Sequence, residues 1–571
     1  MRRFSSIDFL RGLAIVMMLC LHIISDSLDV IALLADMGSL TLLELILLFL
    51  LPFLGGLAGF FLMVSAMGNT VSMTRFLQKG GNWKDLILRQ VMGGVLLLIF
   101  AYLVEGLIGY HGTWGNLFKT LDDVSEWNIN PMLYRWSHFE TIHTIAWCII
   151  INGIIHGLLA RNGGWKDTNK MMMKYIIIAV VVIALTPLVW QIGSPYIKPD
   201  PNPHLGGESY FFYPVLGESS FLEILRAIFV GPLAGKPEPI FPYLATSCIG
   251  TMIGIWMAQD KEKVDRSKIH KFAYIGFAMF IIGMIGLVVN LVLMFDSLGV
   301  DDTLGIYQRI WDHRYWTQEN GIPFLGWLFQ YLALNGFALC AVIAIVRVVE
   351  FRGKGKKFAE KTTFIRRFGF VAFTVYSNQY IFFGAHGLVS WLFIEFGLIT
   401  GTPYVDLPWS GTIIVMAVSF VIFYAVLRLW EKIGYVGSLE WIIGTIGNHL
   451  IPARRKAFRE AEKPVRWWEY GKLDVDNAFY NAEWLDIIEK DEVQHNALVE
   501  SRLSAKLSIW GIVFPPFSFI AFNAARSSVE PEGENKYNKI GKIVGLLGII
   551  VFFTWLVLFS VITLDTLGIS F

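Results

Sequence analysis

The apolar stretch SIDFLRGLAIVMMLCLHIISD, residues 6–26, is long enough to cross a membrane and carries several ionisable side chains. A membrane-spanning helix needs about 20 mostly apolar residues, and ionisable groups inside one are costly enough that they usually serve a function. At 100° per residue, four of them share one side of the helix: Asp8, Arg11, His22 and Asp26. We therefore predict a first membrane helix whose polar side faces the protein interior.

The rest of the 571-residue chain continues this pattern, since 55% of its residues are hydrophobic, 16% are charged and the mean hydropathy is +0.55. A soluble domain of this size does not carry so much apolar surface, so we expect a lipid bilayer as the solvent. The predicted core spans lie near 7–25, 45–69, 89–109, 140–160, 175–194, 239–258, 273–295, 323–347, 368–393 and 411–430, and weaker ones near 507–524 and 541–565. This pattern predicts an all-α fold class: a polytopic membrane helical bundle of ten core transmembrane helices plus a C-terminal hydrophobic pair.

Lys and Arg gather in alternate loops, starting with Arg2 and Arg3, and this bias predicts a cytosolic N-terminus in a multi-pass protein of the cell membrane. Asp8 and Arg11 interrupt the apolar stretch, so the first helix is expected to be retained rather than cleaved as a signal peptide. The net charge of +1 indicates no nucleic-acid partner. A homodimer is left open.

Composition divides the chain into three predicted modules. A ten-helix transmembrane domain occupies 1–450. A cytosolic amphipathic linker is predicted at 451–505, with a solvated connecting helix as the alternative. The hydrophobic helical pair at 506–571 could cross the membrane twice or re-enter it as a hairpin, because Pro515 and Pro516 interrupt it.

The two ends of the first helix suit different chemistry. Arg11 lies in the leaflet nearer the N-terminus, where a guanidinium could bind the phosphates of an acyl-coenzyme A, with Asp8 holding it in place. His22 follows eleven residues later, about 16 Å along the helix axis, and Asp26 could fix its tautomer for acid–base or nucleophilic catalysis. The alternatives are a structural Asp8–Arg11 ion pair and a histidine that only packs.

A second polar cluster opens the fourth span with His138, Glu140 and His143, and Glu140 and His143 have the spacing that brings side chains together on a helix. This cluster could complete the site around His22, or it could be a polar part of the core. The cluster lacks the second facing Glu-x-x-His pair that a carboxylate-bridged metal site needs, and the four cysteines show no C-x-x-C spacing, so no metal is expected.

An outer loop around Asp312 to Trp316 mixes charged and aromatic side chains that would suit a sugar, although aromatic belts at the membrane surface look similar.

The N-terminal motif Ser-Ile-Asp-Phe-Leu-Arg-Gly-Leu-Ala-Ile with His22 resembles the opening helix of the transmembrane acyltransferase superfamily. That superfamily includes the heparan-alpha-glucosaminide N-acetyltransferase-like and YeiB-like families and, more distantly, the acyltransferase-3 family. Weaker resemblances follow within residues 3–445: Gly55 to Met67, Pro239-Ile-Phe-Pro242-Tyr, Gly369-x-x-Ala372-x-Thr374-x-Tyr376, and Gly437-Ser-Leu-Glu440-Trp441.

The resemblance implies transfer of an acyl group, commonly acetyl, from cytosolic acyl-CoA to a hydroxyl or amino group of a saccharide-like acceptor on the other side. Arg11 and His22 match the Arg-x10-His spacing of the acyltransferase-3 family. The glucosaminide enzyme has an asparagine at the position of His22 and its essential histidine in the next loop, whereas residues 27–40 here contain none. The catalytic role therefore falls on His22.

Two other function classes fit the same residues. A transporter or flippase could use the polar side of the first helix as a substrate or proton path. A non-catalytic membrane scaffold could act through residues 451–571, and it would tolerate substitution of Arg11 and His22 but not truncation after Ile451.

Overall fold

The computed structural model describes residues 2–29, 56–121, 125, 127–137, 139–193, 217, 219–234, 239–298, 326–401, 403–450, 466–488, 498–513 and 516–566. About 81% of the structure is helical and almost none of it is strand, which confirms the all-α class. The predictions for His138, for the loop at Asp312 to Trp316 and for residues 45–55 of the second span concern residues outside these ranges.

The first half of the chain forms helices α1 Ser5–Ser27, α2 Leu57–Gln78, α3 Trp83–Leu107, α4 Thr113–Lys119, α5 Pro131–Tyr134, α6 Thr141–Ala160, α7 Thr168–Gly193, α8 Phe221–Phe229, α9 Gly231–Ala234, α10 Ile240–Met257 and α11 Lys268–Leu298. The second half forms α12 Gly326–Glu350, α13 Gly355–Lys361, α14 Thr363–Phe370, α15 Ala372–Ser377, α16 Phe382–Glu395, α17 Trp409–Glu431, α18 Leu439–Leu450, α19 Val499–Val513, α20 Pro516–Glu532 and α21 Lys536–Thr566.

Within the described ranges, nine helices are long and apolar enough to cross a membrane: α1, α3, α6, α7, α10, α11, α12, α17 and α21. Their length and composition support an integral multi-pass membrane protein. Helix α2 is not in this set, and residues 45–55 of the predicted second span lie outside the described ranges. The number of crossings and the cytosolic N-terminus stay predictions.

The predicted span at 368–393 is wrong as a single helix. The chain breaks at Val371 and Asn378 into α14, α15, a 3-10 turn at Gln379–Ile381, and α16. The reason lies at Glu440, whose carboxylate accepts hydrogen bonds from the backbone N–H groups of Phe373 at 2.6 Å and Thr374 at 3.3 Å. A carboxylate that pairs with these first-turn N–H groups caps the start of α15 and stabilises the break.

Two further expectations change in detail. The C-terminal pair consists of three helices, because the predicted span at 507–524 divides into α19 and α20. In the predicted linker, residues 466–488 form a 3-10 turn at Trp467–Glu469, a π-helical turn at Asp476–Tyr480 and strand β2, Glu483–Trp484, rather than one continuous helix.

Strand β2 lies against the start of the chain. It pairs in parallel with β1, Arg2–Arg3, so that Arg3 stands opposite Trp484. Beside this pair, the fully buried guanidinium of Arg366 donates to the carbonyl oxygens of Ala359 at 3.0 Å and Ala478 at 2.7 Å, and lies 4.4 Å from the Trp484 ring. A buried cation is tolerated when most of its donors are paired, so Ala478 and Trp484 pack against α14 and the start of the chain.

Helix α1 occupies a central position between α2, α12 and α14. Its closest neighbour is α14, where a Cβ atom at Gly12 would overlap the carbonyl oxygen of Ile365, and one at Gly369 would lie 2.7 Å from the Gly12 nitrogen. Two glycines thus allow the helix backbones to approach closely, as small residues do in membrane proteins. We call the end of α1 that carries Arg11 the inner end, and the end that carries His22 the outer end.

This contact predicts the effect of Gly12→Ala. The added methyl group overlaps backbone rather than a movable side chain, so we expect the free energy of unfolding in detergent to fall by about 1–3 kcal/mol. Gly93→Ala is the matched control, because a Cβ atom at this helical glycine meets nothing within 4 Å. Equal thermal midpoints for the two variants would contradict the close contact.

Candidate functional site

The outer end of α1 places His22 beside an aromatic side chain from the next part of the chain. The rings of His22 and Tyr110 meet edge to face with their centroids 4.8 Å apart. The Tyr110 hydroxyl donates a hydrogen bond to Asp26 Oδ2. Tyr110 thus joins the two predicted residues, because it contacts the imidazole with its ring and the carboxylate with its hydroxyl.

The helical spacing suggested that Asp26 orients His22 through a direct hydrogen bond. In the described structure this hydrogen bond is not formed. The Asp26 carboxylate turns to Tyr110, which follows α3. His22 is nevertheless within electrostatic reach of Asp26, Glu140 and Lys119. The aspartate can therefore stabilise a positive charge on the imidazole through space, while Tyr110 fixes the position of the carboxylate.

Lys119, the last residue of α4, adds a cation to this end. Its ammonium nitrogen lies 4.0 Å from the Tyr110 ring centroid and 5.2 Å from that of Phe383. Burial lowers the pKa of Lys119 to about 8, Asp26 opposes this shift and Arg135 adds to it. A lysine with such a pKa is partly neutral near pH 7 to 8, whereas an exposed lysine is almost fully protonated there.

Glu140 and His143 come together as their spacing predicts, but they form a helix cap. The backbone N–H of Glu140 donates to His143 Nδ1 at 3.0 Å, and the Glu140 side chain accepts from the backbone N–H of His143. This reciprocal arrangement stabilises the start of α6. Because Nδ1 accepts a hydrogen bond, a neutral His143 carries its proton on Nε2. The ring also packs between Tyr102 and Phe139.

The structure adds a second histidine that sequence reasoning missed. His386 in α16 is 2% exposed, and its Nε2 lies 3.1 Å from the carbonyl oxygen of Val405. Asp406 and Asp26 are both within its electrostatic reach. A polar residue inside a predicted span was the available signal. Tyr110 and Lys119 carried no such signal, because they lie in a connection between spans.

At the inner end, Asp8 was predicted to pair with Arg11, but it has other partners. Asp8 forms ion pairs with Arg3 at 3.6 Å and with Arg366 at 3.9 Å, so the expected Asp8–Arg11 pair is not formed. Arg11 is half-buried, and it makes no hydrogen bond or ion pair with any residue in the described ranges. Its guanidinium therefore keeps its donors while Asp8 and Glu440 supply negative charge nearby.

Glu440 connects two motifs that lie 66 residues apart. Its Oε2 accepts from the Thr374 hydroxyl at 2.6 Å, and the same hydroxyl oxygen accepts from the backbone N–H of Leu439 at 2.9 Å. Burial raises the pKa of Glu440, and the hydrogen bond from Thr374 opposes this shift. The late-helix motif and the closing motif thus form one unit beside Arg11.

Other polar features lie away from these two ends. A groove of about 950 Å³ between the end of α17 and residues 469–476 includes Arg428, Lys432 and Lys472 in its lining, but not Arg11. Among the residues that the structure covers, no group of three or more His, Cys, Asp or Glu side chains could hold a metal ion. No protein-family model and no curated protein matches the chain.

The environment of Lys119 can be tested by its reaction with acetic anhydride at increasing pH, followed by peptide mass spectrometry. Only the neutral amine reacts, so a lowered pKa predicts half-maximal labelling near pH 8. The control is the exposed Lys263, whose pKa a hydrogen bond from its ammonium to Asp260 raises above the ordinary 10.5. Labelling of Lys119 at the same pH as Lys263 would contradict its buried position.

Proposed function

We propose that the protein is a membrane acyltransferase. It moves an acyl group, most simply acetyl, from acyl-CoA at the inner end of α1 to a hydroxyl or amino group of a saccharide-like acceptor at the outer end. The supporting observation is that α1 presents Arg11 at one end and His22 at the other, with hydrogen-bond donors available on the first and a charged aromatic cluster around the second. The resemblance of α1 to the transmembrane acyltransferase superfamily supports the same function.

Arg11 binds the donor in this proposal. A guanidinium can hold a phosphate through two parallel N–H donors, and coenzyme A carries several phosphates. Asp8 is engaged by Arg3 and Arg366, and Glu440 by Thr374 and Phe373, so neither carboxylate occupies the Arg11 donors. The orientation predicted by the positive-inside rule places this end in the cytosol, where acyl-CoA is found.

His22 acts as the base at the outer end. It removes the proton from the acceptor hydroxyl or amine while the acceptor oxygen or nitrogen attacks the thioester carbonyl carbon. The new C–O or C–N bond forms, the C–S bond breaks, and the sulfur leaves as a thiolate that takes up a proton. Asp26, held by Tyr110, stabilises the imidazolium, and the ammonium of Lys119 favours the negative charge that develops on the carbonyl oxygen. Glu140 and His143 stay predicted neighbours of the acceptor.

His22→Ala tests the catalytic assignment. Purified protein in detergent should release coenzyme A from acetyl-CoA in the presence of candidate saccharide acceptors, and loss of the base should lower kcat by about 10²–10⁴-fold. His449→Ala is the matched control, because His449 is an exposed histidine at the end of α18 whose ring contacts that of Tyr470. Equal turnover in wild type and His22→Ala would contradict the role of His22.

Arg11→Ala tests the donor assignment separately. Loss of a charge-assisted hydrogen bond should raise the KM for acetyl-CoA by about 10- to 100-fold and change kcat much less. Arg11→Lys should lie between, because it keeps the charge without the two parallel donors. Arg89→Ala controls for removal of an arginine from another helix. An unchanged KM in Arg11→Ala would rule out phosphate binding there.

A second candidate function is solute or lipid transport, favoured by the breaks at Val371 and Asn378 between α14 and α16. Interrupted helices next to a central helix are typical of transporter binding sites. Proteoliposomes distinguish the two functions. Acyl transfer requires coenzyme A release in step with acceptor modification, whereas transport predicts solute flux without consumption of acetyl-CoA.

A further inference from the structure

Helices α19 and α20 form an antiparallel hairpin. Two residues separate them at one end, and at the other end the Glu532 carboxylate accepts from the backbone N–H groups of Glu500 at 2.8 Å and Ser501 at 2.9 Å. Close to the turn, a Cβ atom at Gly511 would overlap Ser518. The last residue of α20 therefore caps the start of α19. We call this end of the hairpin, where α19 begins and α20 ends, its open end.

The hairpin is too short for two crossings. Its helices have 15 and 17 residues, or about 22 and 25 Å at 1.5 Å per residue, against a hydrocarbon core of about 30 Å. The large apolar side chains gather near the turn and point outward, with Trp510 62% exposed and Ile512 64% exposed. Small residues such as Ser504, Ser508 and Ala525 fill the inner faces instead.

The open end lies level with the inner end of α1. The Glu500 carboxylate forms ion pairs with Lys354 at 2.8 Å and Arg352 at 3.6 Å, just after α12. Glu350, the last residue of α12, accepts from the backbone N–H of Ser6 at 2.9 Å at the start of α1. The open end therefore lies at the inner end, while the region near the turn packs along α21, where a Cβ atom at Gly548 would overlap Ser518.

Three exposed cations lie on the hairpin, at a distance from its turn close to the thickness of one lipid leaflet. Arg502 and Lys506 project from α19 and Arg526 from α20, and all three are exposed. Arg502 precedes Trp510 by eight residues, about 12 Å along the helix, which is close to the thickness of half a hydrocarbon core. The carboxylate of Glu500 is engaged by Lys354, and that of Glu532 by the backbone at the start of α19, so these two carboxylates are already paired elsewhere.

We infer that residues 499–532 are a re-entrant hairpin embedded in the leaflet at the inner end, where Arg502, Lys506 and Arg526 bind the phosphates of anionic phospholipids. The apolar side chains near the turn match the hydrocarbon region of one leaflet, and the cations match its phosphate headgroups. This inference is independent of acyl transfer, because it uses none of the residues assigned to donor or acceptor.

Lipid binding tests the cations. Native mass spectrometry of the full chain should show tighter retention of dioleoylphosphatidylglycerol than of dioleoylphosphatidylcholine, weakened by about fivefold for each cation removed. The test variant combines Arg502→Gln, Lys506→Gln and Arg526→Gln. The control combines Lys79→Gln, Lys263→Gln and Lys361→Gln, three exposed cations elsewhere at the inner end. Equal losses in both variants, or none in the first, would overturn the lipid site.

Cysteine labelling tests the topology with a membrane-impermeant maleimide applied from either side. Lys506→Cys should react only from the side on which Lys263→Cys reacts, and Phe519→Cys, near the turn, should react from neither side. Trp114→Cys in α4 marks the opposite side, and the unsubstituted protein gives the background of the native cysteines. Reaction of Phe519→Cys from the Trp114 side would show two crossings, and reaction from the Lys263 side would show a hairpin outside the membrane. Either result would overturn the proposal.

Discussion

The close contact between α1 and α14 at Gly12 and Gly369 is the constraint on which the candidate site depends. It fixes the height and rotation of α1, and therefore the positions of Arg11 and His22 at its two ends. The same contact brings Asp8 to Arg366, which leaves Arg11 without that carboxylate as a direct partner. A side chain at either glycine would separate the helices and change all of these relations together.

Helical periodicity predicted the features that depend on one helix. The stretch at residues 6–26 does form α1, and Glu140 and His143 do meet at their i, i+3 spacing. Their interaction as a helix cap was not evident, because it depends on α6 beginning at Thr141. A break inside an apolar stretch was equally hidden, since the carboxylate that stabilises it belongs to Glu440, far along the chain.

Partners across the bundle account for most of what the sequence could not predict. Asp26 is bound by Tyr110, 84 residues away, and Asp8 by Arg366 rather than by its neighbour on α1. In both cases the nearest residue along the helix is not the nearest in space, because helix packing rather than periodicity decides which charges meet. Spacing on one helix identified residues of the candidate site, but not the interactions between them.

The few residues that follow α12 have a consequence for cooperativity. Glu350 holds the first turn of α1, while Arg352 and Lys354 hold the first turn of α19, so two distant parts of the chain share one anchoring segment. Local opening of this segment would break buried polar contacts on both sides at once. The start of α1 and the base of the C-terminal hairpin should therefore exchange their amide hydrogens as one unit, although hundreds of residues separate them.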